Sequence, residues 1–425
     1  MGIATGISLP QPLSAGEIRE TACRACGRPG PQLVMDFGIT PLADRLVKAD
    51  EAGKPDPAAP LELVFCPGCA LLQIAHTVPP EVLFGDLYIY LSSVSRRLLD
   101  HSREHALELI QSRKLGPQSF VLEIASNDGY MLRNFVEHGI PVLGVEPASE
   151  PARLAKEAGV PTLSRFFNRA LTSTLAAEHG LADVIIANNV LAHVAGLNDF
   201  VEGVKAMLKP DGIAVFEAPY VADLIEKGEF DTIYHQHLCY FSVTALAELF
   251  RSHGLSLNRA QRIAIHGGSL RLTVGKHVAV DDSVTSLLAE EKASGMDTAD
   301  YYLRFADRVK SIRTGLRAIL DKLKSQNKRI VGYGAAAKAT TLLSYCDIGP
   351  DILDYIVDLN TIKQGRFMPG CHIPIRPVSA LYEDKPDYLL ILAWNFAEEI
   401  MAQQSEFQRA GGKFIVPIPE PTVTN

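Results

Sequence analysis

The chain contains no run of about 18 apolar residues, so a membrane-spanning helix has nothing to be built from. Excess positive charge is missing too: 41 Lys and Arg stand against 49 Asp and Glu, for a formal net charge of −8. That balance excludes a nucleic-acid surface as the main business and leaves room only for a local basic pocket. The start, MGIATGISLPQPLSAGEIRE, has no basic cluster followed by a long apolar core, and a cytoplasmic location is the expectation. Low-complexity tracts and short-period repeats are absent as well. Neither a membrane nor a polymer is therefore an expected partner.

Cysteine is scarce but unevenly placed. Four of seven, Cys23, Cys26, Cys66 and Cys69, fall early, as CRACG and CPGC. Two Cys-x-x-Cys knuckles offer four thiolates to a tetrahedral ion at about 2.3 Å. Two disulfides are the alternative, which a cytoplasmic chain disfavours. Zinc is the expected occupant, and four sulfur ligands leave no open position, so the ion is structural. The segment around it is rich in Pro and Gly (GRPGPQ, GKPDPAAP) and reads as too poor in apolar periodicity to fold without its metal.

Length and pattern organise the rest. At 425 residues and 47% hydrophobic content, two or three folding units with sizeable cores are expected. LLDHSREHALELIQSRKL has helical spacing; SFVLEI, PVLGVEPA, LADVIIANN and GIAVFEAPY read as buried strands with helices between, hence an α/β unit with a doubly wound parallel sheet. A charged helical stretch from about 281 to 326 leads to a second α/β unit, with KRIVGYGAAAKATTLLSYC as strand, turn and helix, then LDYIVDLN, DYLLILAWNF and KFIVPIP as strands. The predicted units are a zinc lobe over 1–80, a first α/β domain over 81–280, and a helical bridge with a second α/β domain over 281–425.

The turn after the first strand of the first α/β unit runs Glu123-Ile-Ala125-Ser126-Asn127-Asp-Gly129. Small residues there let backbone approach a ligand, but Ala125 and Asn127 stand where a GxGxxG phosphate fingerprint would have glycines. A nucleotide without a pyrophosphate fits better. Glu146, ending the next strand and followed by Pro147, can take both ribose hydroxyls of an adenosine. An acid after strand one, a small-residue turn and an acid after strand two is the arrangement for S-adenosylmethionine, and Asn188 and Asn189, after a third strand, are placed on the same cleft.

FDTIYHQHLCYF carries Tyr234, His235, Gln236 and His237. His-x-His alone is a weak metal signal, and packed aromatics compete with a histidine base beside a methyl donor. Together with VLEIASNDGYML, GVEPA, NNVLAHV, FEAPY, HGGSLR and VGYGAAAKATTLL behind the paired cysteines, it resembles the bacterial sugar C-methyltransferases of the tylosin and novobiocin type. The resemblance runs from about residue 20 to 420. It implies a class I methyltransferase domain between a zinc lobe and a Rossmann-like C-terminal domain, acting as a monomer on a nucleotide-linked 4-keto-6-deoxy sugar, with dTDP or GDP as the nucleotide. It further implies His237 as the base that removes the proton at sugar carbon 3, assisted by Tyr234. Gln236 stands where the family has Glu, so it can orient a hydroxyl but cannot accept a proton. Tyr88 or Tyr90 falls at the family's active-site tyrosine, and His235, His266, Ser269 and Arg271 fall at the substrate cleft, Arg271 as a candidate phosphate ligand. His193 lies near the donor.

The second α/β unit carries Gly332-Tyr-Gly334-Ala-Ala-Ala337, which matches GxGxxA, and Asp358 ends the next strand; alone this would suggest NAD. The resemblance assigns Gly332, Gly334 and Lys338 to the sugar nucleotide instead. Methylation of oxygen or nitrogen on a related sugar, and a non-catalytic nucleotide-binding protein, remain as alternatives.

Overall fold

The computed structural model describes residues 13–84, 91–265, 267–276 and 279–424. Three main sheets follow one another along the chain. The first 84 residues hold β1 (Leu13–Ser14), β2 (Ile18–Arg19), β3 (Gln32–Pro41), β4 (Pro57–Phe65), β5 (Leu72–Ile74) and β6 (His76–Thr77). β3 and β5 flank β4 as antiparallel neighbours. The metal lobe has more apolar core than the loop-rich sequence suggests. Leu61, Leu63, Phe65, Leu72 and Ile74 are fully buried, and their cluster continues into the other two units. PAAPLELVF hides its strand behind two prolines, and both fall near its start, where β4 pairs with β1 and with the end of β3.

The second sheet contains β7 (Val121–Ile124), β8 (Val142–Val145), β9 (Thr162–Leu163), β10 (Ala182–Asn188), β11 (Leu208–Pro219), β13 (Ser256–Ile263) and β14 (Ser269–Gly275), with β12 (Cys239–Tyr240) lying outside it. Its order is β13-β14-β11-β10-β7-β8-β9; β7 to β11 are parallel and β14 is antiparallel to both neighbours. The chain winds outward from β7 to β9, then returns to β10 on the other side of β7. That reversal opens a crevice beyond the carboxyl ends of β7 and β10. The helix Arg96–Arg113, capped by the Ser95 side chain accepting from Leu98 N–H, lays Leu98, Ala106 and Leu109 on the sheet. The helix predicted straight after β7 is only the turn Arg133–Val136.

The charged stretch forms two helices, Asp282–Ser294 and Ala299–Ser325, separated at Gly295, whose φ of 79° ends the first. The second buries Tyr302, Phe305, Val309, Ile312, Leu316, Leu320 and Leu323 at helical spacing. The third sheet holds β15 (Ile330–Tyr333), β16 (Ile356–Val357), β17 (Ile375–Arg376), β18 (Tyr388–Ile391), β19 (Lys413–Val416) and β20 (Thr422–Thr424), ordered β17-β16-β15-β18-β19-β20 and parallel but for β20. This is a Rossmann-like order. Among the described residues, no helix is long and apolar enough to cross a membrane.

The sheets are not closed where the sequence placed the boundaries. β12 pairs antiparallel with β5, so the lobe's sheet is completed from residues 239–240, and Val47 bridges Phe367 of the third unit. Phe65 packs on Tyr302 with ring centroids 4.9 Å apart, tying lobe to helix. Phe65→Ala should therefore cost about 3–5 kcal/mol, read as a fall in the urea midpoint, and a change below 1 kcal/mol would mean that the lobe contributes little to the common core.

Candidate active site and metal centre

Each Cys-x-x-Cys folds as a tight knuckle. Gly27 N–H donates to the Cys23 carbonyl and Ala70 N–H to the Cys66 carbonyl, both at 2.9 Å, with Gly27 and Ala70 at φ of 70° and 59°. Cys23 and Cys69 have their sulfurs 3.5 Å apart, as do Cys26 and Cys66, and all four lie within 4.8 Å of one another. Sulfurs bonded to one tetrahedral zinc at about 2.3 Å stand roughly 3.8 Å apart, so the donor set fits that ion. The same spacing is far too long for disulfides, whose sulfurs are about 2 Å apart.

The crevice at the end of β7 is lined by acids. Glu123 is buried with both carboxylate oxygens unpartnered, as are Ser126 Oγ, Asp128 Oδ1 and Asn188 Oδ1. Glu146 accepts from Asn127 N–H at 2.9 Å and from Ala148 N–H at 2.8 Å. Ala125, Asn127 and Gly129 sit at φ of 56°, 48° and 76°, so the chain adopts the glycine-favouring conformation even where alanine and asparagine replace glycine. Burial pushes the Glu123 carboxyl well above its ordinary range, with Glu146 and Asp128 adding to the effect. Among the described residues none of these three acids forms an ion pair. A buried acidic pocket whose carboxylates make no ion pair among the described residues suits a cationic ligand, and S-adenosylmethionine carries both an ammonium and a sulfonium. Pro147 follows Glu146, and Asn189, at φ of 53°, donates its N–H to the Glu217 carbonyl at the neighbouring strand end. Ser92 and Ser93 N–H donate to the Asn127 and Asp128 side chains, holding the entry to the first long helix against this loop.

Tyr234 to His237 is a four-residue turn closed by His237 N–H to the Tyr234 carbonyl at 2.9 Å. The turn separates its two histidines. His235 is fully buried and donates through Nε2 to the Ala59 and Pro60 carbonyls of the lobe, so it is not on a substrate surface. His237 faces the other way. Its Nδ1–H donates to the Thr232 carbonyl at 2.8 Å, which leaves the Nε2 lone pair to accept from the Tyr234 hydroxyl at 3.2 Å. His237 is only partly buried, yet its ring is hemmed by Tyr234 at 4.2 Å, His193 at 4.9 Å and Tyr240 at 6.4 Å. Burial, and secondarily His193, pushes its pKa down to about 3, so it is neutral at physiological pH. His193 Nδ1–H donates to the Gln236 carbonyl at 2.6 Å, and Leu238 N–H to the Ala192 carbonyl at 2.7 Å, joining the turn to the segment that leaves β10. The Gln236 side chain, buried, makes no hydrogen bond among the described residues.

Several residues singled out in the sequence land elsewhere. Arg271 is committed within the protein: its Nε donates to Glu217 at 2.7 Å, and Glu108 and His101 also face it. Burial works against ionising Glu217, but the His101 hydrogen bond and the Arg271 charge hold its pKa near 2. A phosphate would have to compete with that carboxylate for the guanidinium, and the ion pair that the sequence also allows for Arg271 is the contact formed here. Ser269 Oγ donates to the Ile265 carbonyl inside the β13–β14 hairpin. A β-carbon on Gly268, at φ of 129°, would meet the Asp223 carboxylate at 2.5 Å, which accounts for the glycine pair in HGGSLR. Gly332 and Gly334 serve packing, since added β-carbons would stand 2.7 Å from Ile356 and 2.8 Å from Ala393. Asp358 accepts from Ala335 N–H at 2.7 Å and from Asn360 N–H, so the acid that a dinucleotide ribose would use is engaged by the loop itself. The Lys338 ammonium lies 4.2 Å over the Trp394 ring and 4.0 Å from Asp231, largely buried. Tyr88, Tyr90 and His266 lie outside the described residues. Sequence reasoning missed Thr232, Glu217 and His101; FEAPY was the one signal, and it did not say where its acid points.

Three family models match in order along the chain: a zinc binding domain over residues 23–84, a methyltransferase domain over 95–259 and a C-methyltransferase C-terminal domain over 264–419. The C-methyltransferase NovU of Streptomyces niveus is 36% identical over 404 residues, 94% of this chain and 96% of its own. The ubiquinone biosynthesis O-methyltransferase of Methylobacterium sp. (strain 4-46) is 26% identical over 195 residues, 40% of this chain and 75% of its own. Magnesium protoporphyrin IX methyltransferase of Synechocystis PCC 6803, solved with bound S-adenosylmethionine, superimposes with a TM-score of 0.34 at 12% identity, over 46% of this chain and 88% of its own.

Elemental analysis should find one zinc per chain, and Cys66→Ser should lower it together with the melting temperature; a chain without zinc that melts unchanged would remove the metal from the fold. Glu123→Gln should weaken S-adenosylmethionine by about tenfold or more, roughly 1.4 kcal/mol by isothermal titration, with S-adenosylhomocysteine, which lacks the sulfonium charge, affected less. Equal affinities in parent and variant would place the donor away from this carboxylate.

Proposed function

Because the chain belongs to the C-methyltransferase family, with a class I S-adenosylmethionine-dependent methyltransferase fold and a structural zinc centre, we propose that it methylates a nucleotide-linked 4-keto-6-deoxy sugar at carbon 3, beside the ketone. The observation that carries this reading is the His237 tautomer. A carbon nucleophile must lose a proton before it can accept a methyl group, and the turn offers an unprotonated Nε2 next to the segment that leaves β10.

Roles follow from the hydrogen bonds. Thr232 holds Nδ1–H, so only Nε2 can take the proton from sugar carbon 3, and the same carbonyl stabilises the imidazolium that results. The Tyr234 hydroxyl, next to Nε2, turns to the sugar oxygen on which the enolate charge gathers. Gln236 orients a sugar hydroxyl through its amide, which neither takes nor gives up a proton. Glu123, Asp128 and Glu146 hold the donor, Glu146 at its ribose, and Asn188 contributes its unpartnered amide oxygen. The bound donor supplies an electrophilic methyl group. Tyr234 and His193 keep water from Nε2 by packing on the imidazole.

The test uses a dTDP-4-keto-6-deoxy sugar and methyl-labelled S-adenosylmethionine. Parent enzyme should place the label on carbon, and in deuterium oxide with S-adenosylhomocysteine it should wash deuterium into carbon 3. His237→Ala should lose both by a factor of about 100 or more while keeping donor affinity; label found on oxygen or nitrogen, or wash-in that survives the substitution, would overturn the reading. With its pKa near 3, His237 stays deprotonated from pH 5 to 8, so the wash-in rate should show no acid limb across that range. A limb near the ordinary histidine pKa of about 6.5 would point to a different base.

A further inference from the structure

Immediately before the reactive turn, Phe230–Thr232 forms a single 3-10 turn that contains a fully buried acid, Asp231. Nothing in the proton transfer uses this carboxylate, and burial raises its pKa, an effect that Lys338 and the indole N–H oppose. Beyond its own turn, its partners among the described residues come from the third unit. Trp394 Nε1–H, on the chain's one tryptophan, donates to Asp231 Oδ2 at 2.7 Å. The Lys338 ammonium stands 4.0 Å from the same oxygen and stacks on the Trp394 ring, and Thr341 Oγ–H donates to the Ile233 carbonyl at 2.8 Å. Thr232, whose carbonyl holds His237 Nδ1–H, lies between the two anchored residues.

We propose that Asp231 and Trp394 are positioning residues for the base: by clamping 231–233, the C-terminal unit sets the Thr232 carbonyl and through it the tautomer of His237. The proposal rests on the base reading above. A neutral imidazole has two tautomers, and only the one with hydrogen on Nδ1 presents an Nε2 lone pair toward Tyr234. Swinging the Thr232 carbonyl away removes the bond that selects it. The arrangement also explains an oddity of the third unit. The lysine and tryptophan at the carboxyl ends of its strands, where an α/β sheet ordinarily meets a ligand, are spent on a carboxylate from the middle unit. The titratable groups facing His237 among the described residues are His193, Tyr234 and Tyr240, with no carboxylate or ammonium. A change in its protonation on altering Trp394 would therefore report geometry and hydration, since no facing charge is altered.

The experiment is nitrogen-15 NMR of the histidine rings in the zinc-loaded full chain with S-adenosylhomocysteine, His237→Ala assigning the signal, alongside deuterium wash-in on the dTDP-4-keto-6-deoxy sugar. Parent protein should show hydrogen on Nδ1. Trp394→Phe, which keeps an aromatic ring but removes the donor, should give a mixture of tautomers, move the pKa still further below the ordinary histidine value by taking away the carbonyl that stabilises the imidazolium, and slow wash-in about tenfold or more, with zinc content and donor affinity unchanged. An unchanged tautomer and pKa in Trp394→Phe overturns the proposal even if the rate falls, because a merely structural loss would do that. If Trp394→Phe does not hold zinc, Thr341→Val breaks the second anchor and is read in the same way. Wash-in that persists in His237→Ala sinks the base reading itself, which separates that failure from this one.

Discussion

The arrangement of the site depends on the pairing of Cys239–Tyr240 with Leu72–Gln73. Two residues on each side join the end of the reactive turn to the sheet that the zinc knuckles hold. With His235 bonded to the Ala59 and Pro60 carbonyls, Leu238 to Ala192, and Thr341 to Ile233, the segment from 230 to 241 is fastened to all three units. A turn with Tyr234 and His237 side by side would be mobile if attached at one end only. Held from three directions it keeps one tautomer of the His237 imidazole.

Charge is divided between the two halves of the site. The crevice at the end of β7 is acidic and, among the described residues, its buried carboxylates make no ion pair, so a ligand that brings positive charge would relieve them. His237 is surrounded by rings and carbonyls, and burial keeps it neutral at physiological pH. Were a carboxylate placed against His237 Nδ1 in place of the Thr232 carbonyl, it would favour the imidazolium and raise the pKa toward physiological pH. Arg271 and Glu217, on neighbouring strands β14 and β11, neutralise each other.

Elements with long periodic patterns were legible beforehand: the helix Arg96–Arg113, the strands β7, β8, β10 and β11, and the Rossmann-like unit from Ile330 onward. The lobe's strands were not, because prolines and glycines interrupt PAAPLELVF and QLVMDFGITP and because much of their buried surface is covered by distant segments. Boundaries at 80 and 280 missed β12 for the same reason, since a two-residue strand exists only through its partner. Glycines were over-read. Gly332 and Gly334 stand at a fingerprint spacing, yet the distances to Ile356 and Ala393 show close strand packing as their immediate requirement.

By itself the sequence determined what local chemistry can encode. The cysteine spacing specified a tetrahedral sulfur site, the acid-turn-acid pattern specified a turn ringed by buried acids at the carboxyl end of β7, and the alternation of strand and helix specified two parallel sheets. Side-chain direction was decided only by the tertiary structure. Within four consecutive residues His235 turns to the lobe and His237 to the cleft, Arg271 is drawn inward by Glu217, and Lys338 is drawn onto Asp231. The partners of His235, Arg271 and Lys338 lie from 54 to 176 residues away in the chain, and no spacing rule within a motif reaches that far.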